Sequence, residues 1–133
     1  MNAPDEFQPL SPSPFAERVG PLYVSVRDSV PIVGVRIEPH HANRAGRGHG
    51  GVLMTVADIA MSRAVRDRVP RGATFATADL HIAFLESVGE GAWVEAVPSI
   101  DRIGRGLIHG SCLLSSGEDL IARVLATFAV RLP

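Results

Sequence analysis

Lysine is missing from all 133 residues, and cysteine, tyrosine and tryptophan occur once each. Each shortage excludes something. Cys112 alone cannot close an internal disulfide, so nothing marks an oxidising compartment, and its apolar neighbours make it an inert buried thiol. A net charge of -1 leaves no basic excess to draw nucleic acid. No uninterrupted apolar run approaches the roughly 20 residues of a membrane span. Nor does the N-terminus set a basic region ahead of an apolar core, as a signal peptide would. The expectation is a cytoplasmic protein with neither a membrane nor a nucleic-acid partner. With 46% hydrophobic residues, 133 positions suffice for one buried core. That all thirteen cations are arginine fits codon bias, or phosphate binding through the guanidinium fork.

Proline is spread unevenly, with six of the ten in residues 1–31. There, residues 1–14 read as a loosely ordered leader, 15–20 as a short helical turn, and 23–30 as an extended stretch ending at Pro31. The domain proper is expected over residues 32–133. Val33-Gly-Val-Arg-Ile-Glu alternates as a strand does, and Pro39 stops it. Twelve polar, glycine-rich residues follow, from His40 to Gly51. A loop of that length without structure of its own is uncommon and often functional.

From Gly51 to about Arg68 the pattern predicts a helix, apolar nearly all round until its final turn and therefore buried. Arg63, Arg66 and Arg68 suit its C-terminal dipole, and Pro70 and Gly72 close it. Four strands are expected at 74–85, 92–100, 107–114 and 120–130, joined by turns short enough for antiparallel neighbours. Pro98 within a strand marks a bulge or an edge. One helix against one antiparallel sheet is an α+β arrangement. A helix apolar on every side needs more cover than one sheet face, so the sheet must curl around it or a second copy must help.

Asp58 is the anomaly in that helix. Burying an ionised carboxylate costs several kcal/mol unless it is paired or hydrogen-bonded. Its helical neighbours Met54, Thr55, Met61 and Ser62 include no cation. Capping a loop or pairing with a distant Arg is the ordinary use of such an Asp. The preceding His49-Gly50-Gly51 favours chemistry instead. Two glycines leave the helix start unobstructed, its first N–H groups have no intrahelical partners, and the dipole favours negative charge there. A substrate carbonyl at that end would find a donor for a developing oxyanion.

Gly50 and Asp58 are eight residues apart, a rise of roughly 12 Å along a helix. An oxyanion donor and an attacking group must both lie ~3 Å from one reacting centre. Two antiparallel copies achieve this where one chain does not, with Gly50 of one chain facing the partner's Asp58. The expectation is a site shared across a dimer, twice by symmetry.

Asn43-x-x-Gly46-x-x-His49-Gly50-Gly51 followed by Asp58 resembles the PaaI-like branch of the hotdog-fold thioesterases. The similarity continues through Ala76-Thr-Ala-Asp-Leu-His-Ile-Ala-Phe-Leu, Gly91, Gly104-Arg105 and Leu120-Ile-Ala-Arg-Val-Leu-Ala-Thr-Phe, covering about residues 32–130. The resemblance implies a hotdog fold, an antiparallel sheet wrapped around one long central helix. It also implies hydrolysis of acyl-CoA to free acid and CoA with no cofactor, coenzyme A being part of the substrate. At the matching positions, Asp58 is the catalytic carboxylate, either nucleophile or general base toward water. The Gly50 N–H polarises the carbonyl, Asn43 and His49 lie near the thioester and attacking water, and Thr77 positions that water. The family's site lies between subunits, which implies a homodimer or a dimer of dimers. Arg102 and Arg105 occupy a turn near which family members use basic residues on the coenzyme A phosphates; an exposed turn Arg is more often simply solvated.

The spacing of His40, His41 and His49 matches no usual zinc pattern and no Cys is near, so no metal is expected. His81 and His109 fall in strands as core or interface residues, and Trp93 as packing. Two other functions compete. A hotdog hydratase or dehydratase pairs a His with an acidic residue differently from this block. A non-catalytic acyl-CoA-binding module need not keep a buried acid.

Overall fold

Strand alternation decides what meets the helix. The computed structural model describes residues 3–11 and 13–133. Its elements run β1 (Gln8–Pro9), α1 (Pro14–Val19), β2 (Leu22–Arg27), β3 (Val30–Arg36), a 3₁₀ turn (Pro39–His41), α2 (Gly50–Arg66), β4 (Thr74–Phe84), β5 (Trp93–Ile103), β6 (Leu107–Ser116) and β7 (Asp119–Arg131). The strands make one antiparallel sheet ordered β1-β2-β3-β5-β6-β7-β4. In β6 and β7 the even positions Ile108, Cys112, Leu114, Val124, Ala126 and Phe128 are buried against α2, while Leu107, His109, Arg123 and Leu125 face outward. Gly110 continues the inward row because a Cβ there would lie 2.4 Å from the Met61 methyl. Burial pushes the Cys112 thiol up to about 12, so it packs as a small hydrophobe. The result is the expected hotdog arrangement. Among the described residues, no helix is long and apolar enough to cross a membrane.

The helix is less enclosed than its composition predicts. Val52, Leu53, Val56, Ala57, Ala60, Met61, Ala64 and Val65 are buried, but Met54 is 38% exposed and Asp58, Ile59 and Ser62 are half-buried. The curled sheet covers most of the circumference and leaves one stripe open at helical spacing. Asp58 lies on it.

The proline-rich beginning is part of the sheet. β1 pairs with β2 and β2 with β3, and Leu10, Ala16 and Leu22 share a core with Val35, Val56 and Phe128. Met1, Asn2 and Pro12, also read as leader, lie outside the described residues. The extended stretch expected over 23–30 is a hairpin instead. It turns at Asp28 and Ser29, both with positive φ (51° and 65°), the backbone of a tight two-residue hairpin turn. Pro31 therefore begins a strand rather than ending one. The β3–β5 ladder runs from Arg36↔Trp93 to Val33↔Ala96. Two residues beyond lie Pro31 and Pro98, neither of which has an N–H to offer, so the prolines mark where pairing ends.

The loop from His40 to Gly51 carries structure of its own. His41 is 1% exposed, accepts the Glu38 N–H at Nδ1 (3.0 Å) and donates from Nε2 to the Val19 carbonyl (2.5 Å). The His40 Nε2 lies 2.6 Å from the Gly20 carbonyl. These rings bind the end of α1 to the start of the glycine-rich loop. Replacing His41 with Ala empties a buried site and strands two backbone groups. Unfolding free energy is expected to fall by about 2–4 kcal/mol, seen as a lower urea midpoint at unchanged slope. A change below about 0.5 kcal/mol would deny this linkage.

Candidate active site

Asp58 meets Thr77. The Thr77 Oγ1 donates to the Asp58 Oδ1 at 2.6 Å, a short hydroxyl–carboxylate hydrogen bond. A β-bulge makes this possible. Pairing with β7 slips between Thr77 and Asp79, so Thr77 (opposite Phe128) and Leu80 (opposite Ala126) both face α2 despite their odd spacing. The pair lines an open pocket of about 400 Å³ together with Phe15, Met54, Ile59 and Leu80. Ser13 and Thr55 add two more hydroxyls to the lining. A carboxylate hydrogen-bonded to a hydroxyl beside apolar side chains can hold and activate water, or present an oxygen nucleophile.

Gly50 lies in a different pocket. It is the first residue of α2, capped by His49, whose Nδ1 accepts the Gly51 N–H at 2.8 Å. Among the described residues the Gly50 N–H meets no backbone acceptor, as expected at a helix start. A Cβ on Gly50 would fall 2.8 Å from the tip of the exposed Phe84 ring, so any larger residue here displaces that ring. Asn43, Arg47, Gly50, Leu53 and Phe84 are among the residues lining this second pocket, about 430 Å³. The Asn43 Oδ1 accepts the N–H groups of Ala45 and Arg47 at 2.9 and 3.0 Å, which folds the glycine-rich loop back toward the helix. Such a donor at a helix N-terminus is what a developing oxyanion requires.

The chain thus brings Asp58 to Thr77, and Asn43 to Gly50, but lines two pockets with them rather than one. Asp58 touches β4 near its beginning and Gly50 touches it near its end. Arg102 and Arg105 flank the β5–β6 turn, both exposed. Leu107 pairs with Ala129, which also pairs with Ala76, so that turn lies near the Thr77 end of the sheet. His40, His41 and His49 are all engaged with backbone groups. His81 and His109 lie on the outer face, where His109 contacts the Thr127 hydroxyl at 3.1 Å. Trp93 packs edge-on against Phe7.

Sequence reasoning missed three pocket residues. Arg47 sits beside Gly50, with its guanidinium donating to the Ser87 Oγ at 3.0 Å. Its place in the glycine-rich block was the available signal. Phe84 and Phe15 gave none, because tertiary contacts alone bring them to the pockets.

A family model described as the Thioesterase superfamily matches residues 45–123. The chain is 32% identical over 131 residues to a Pseudomonas aeruginosa protein whose name proposes an esterase, spanning 96% of this chain and 97% of that one. A mutant of the phenylacetic acid degradation protein PaaI from Thermus thermophilus is similar in structure, with a TM-score of 0.78 and 25% identity over 88% of this chain and 98% of that one. A Bacillus halodurans protein crystallised with CoA is 26% identical at a TM-score of 0.74, over 81% of this chain and 71% of that one.

Proposed function

Because the chain belongs to the thioesterase superfamily, as a PaaI-like hotdog thioesterase, we propose that it hydrolyses acyl-CoA thioesters to free acid and CoA. One observation carries the arrangement of the site. Asp58 with Thr77, and Gly50 with Phe84, mark opposite ends of one strand, β4. That strand is eleven residues long, lies at the sheet's edge beside β7, and is largely exposed. A long open edge invites pairing with another strand. Pairing β4 with its copy antiparallel, about a two-fold axis, sets the Thr77 end of one chain against the partner's Phe84 and Gly50. Each pocket then completes the other.

In this site the partner's Gly50 N–H polarises the thioester carbonyl. Asp58 takes a proton from the water that attacks, and that proton passes to the departing CoA thiolate; or Asp58 itself attacks and expels the thiolate, leaving an acyl–Asp58 anhydride that water then cleaves to free acid. In either course Thr77 holds the carboxylate and water in line. The open dipole end at Gly50 stabilises the tetrahedral oxyanion until CoA thiolate departs. Asn43 and His49 support that end by shaping the loop and capping the helix. The CoA held by the Bacillus halodurans relative favours a CoA thioester as substrate. Arg102, at the end of β5, and Arg105, on the turn that follows near the Thr77 end, are the candidate phosphate contacts.

Following thiol release from acetyl-, octanoyl- and phenylacetyl-CoA tests the reaction. Turnover of at least one supports it, whereas binding without thiol release would make the chain an acyl-CoA-binding module. Thr77 offers a finer check. Thr77→Val removes the hydroxyl and is expected to lower kcat by about 10- to 100-fold, the worth of one hydrogen bond to a charged group. Thr77→Ser keeps the bond and most of the rate. Equal rates for Val and Ser would remove Thr77 from the mechanism.

A further inference from the structure

The pocket around Asp58 has an unexpected wall. Phe15 is 64% exposed and lines it from α1, facing Met54, Ile59 and Leu80. A lone exposed Phe on a protein surface needs no explanation. Here the ring joins three further apolar side chains around a hydrogen-bonded carboxylate. Nor does Phe15 ride on a loose tail. The next residue, Ala16, is buried in the core, and the Ser13 Oγ accepts its N–H at 3.2 Å to start the helix. At the other end His40 and His41 engage the Gly20 and Val19 carbonyls. The ring is therefore held at a set place relative to α2, from the same turn that leads into the glycine-rich loop.

We propose that Phe15 is a specificity-determining residue of this pocket, and that the pocket takes an apolar acyl chain which packs between Phe15 and Met54. The proposal rests on the thioesterase reading, which puts the reacting carbonyl beside Asp58. An acyl chain leaving that carbonyl has apolar surface available in Phe15, Met54, Ile59 and Leu80 and no cation among them to greet a charged group. Covering Phe15 and Met54 removes apolar area from water with each added methylene, so affinity climbs with chain length until the wall is passed. An acetyl group has no chain to lay against that wall.

Two variants, Phe15→Ala and Phe15→Trp, test this on the full chain, with Val26→Ala, an exposed position of β2, as the control. The ratio of kcat/KM for octanoyl-CoA to that for acetyl-CoA is the readout. It is expected to fall about tenfold in Phe15→Ala, to change in Phe15→Trp as the ring intrudes, and to hold in Val26→Ala. Calorimetry with non-hydrolysable thioether analogues of the same two chain lengths reads the wall independently of turnover. If both ratios and both analogue affinities stay within twofold of wild type in the Phe15 variants, the wall assignment is overturned while the hydrolase stands. If the wild type releases no thiol, yet the octanoyl analogue loses affinity in Phe15→Ala, the wall stands and hydrolysis falls.

Discussion

Replacing Asp58 with Asn is expected to lower kcat for acyl-CoA hydrolysis by about 10³-fold or more, with folding and self-association unchanged. The size follows from what the exchange removes. Asn has neither the negative oxygen that attacks a carbonyl nor the basicity to take a proton from water, so both roles open to Asp58 disappear together. The fold should be spared. Asp58 is half-buried on the open stripe of α2, and an Asn carbonyl oxygen can still accept from the Thr77 hydroxyl, now at 2.6 Å. Asp58→Ala should match the catalytic loss while also freeing Thr77. Thiol release and a thermal melt on the same preparation separate chemistry from stability. An Asp58→Asn protein with native melting behaviour and undiminished turnover would sink the assignment.

The parts legible in the sequence were those whose order is local. Helix periodicity and strand alternation located α2 and β4 to β7 with ends displaced by a few residues, because each has a buried face set by its own side chains. The beginning was harder. β1 is two residues long, too short to alternate, and the β2–β3 hairpin turns on Asp28-Ser29, which lacks the glycine that usually announces such a turn. Pro31 looks like a stop, yet its missing N–H goes unneeded where the β3–β5 ladder has ended. At the site, Asp58 and Gly50 stood out as exceptions to an apolar helix. The bulge that turns Thr77 toward Asp58 adds one residue that a two-residue period cannot foresee. Phe15 and Phe84 reach their pockets through contacts distant in sequence.

Mixing two inactive variants should restore activity, and this is the sharpest consequence of Asp58 and Gly50 lining different pockets. Gly50→Val sets a branched side chain where a Cβ alone would stand 2.8 Å from the Phe84 ring, so the ring must swing aside and the approach to the N–H is expected to be crowded. It should cost about 10²- to 10³-fold in kcat, the worth of an oxyanion donor. In the proposed dimer arrangement, homodimers of Asp58→Asn or of Gly50→Val carry two damaged sites. In a mixed dimer one site collects both lesions and the other collects none, since its Asp58 comes from the Gly50→Val chain and its Gly50 from the Asp58→Asn chain. Random exchange of equal amounts makes half of the dimers mixed, each with one of its two sites intact, so about a quarter of wild-type activity should return. Unfolding and refolding the two together, against each refolded alone, provides the measurement. A site built within one chain would leave every combination damaged, and the mixture would stay as inactive as its components.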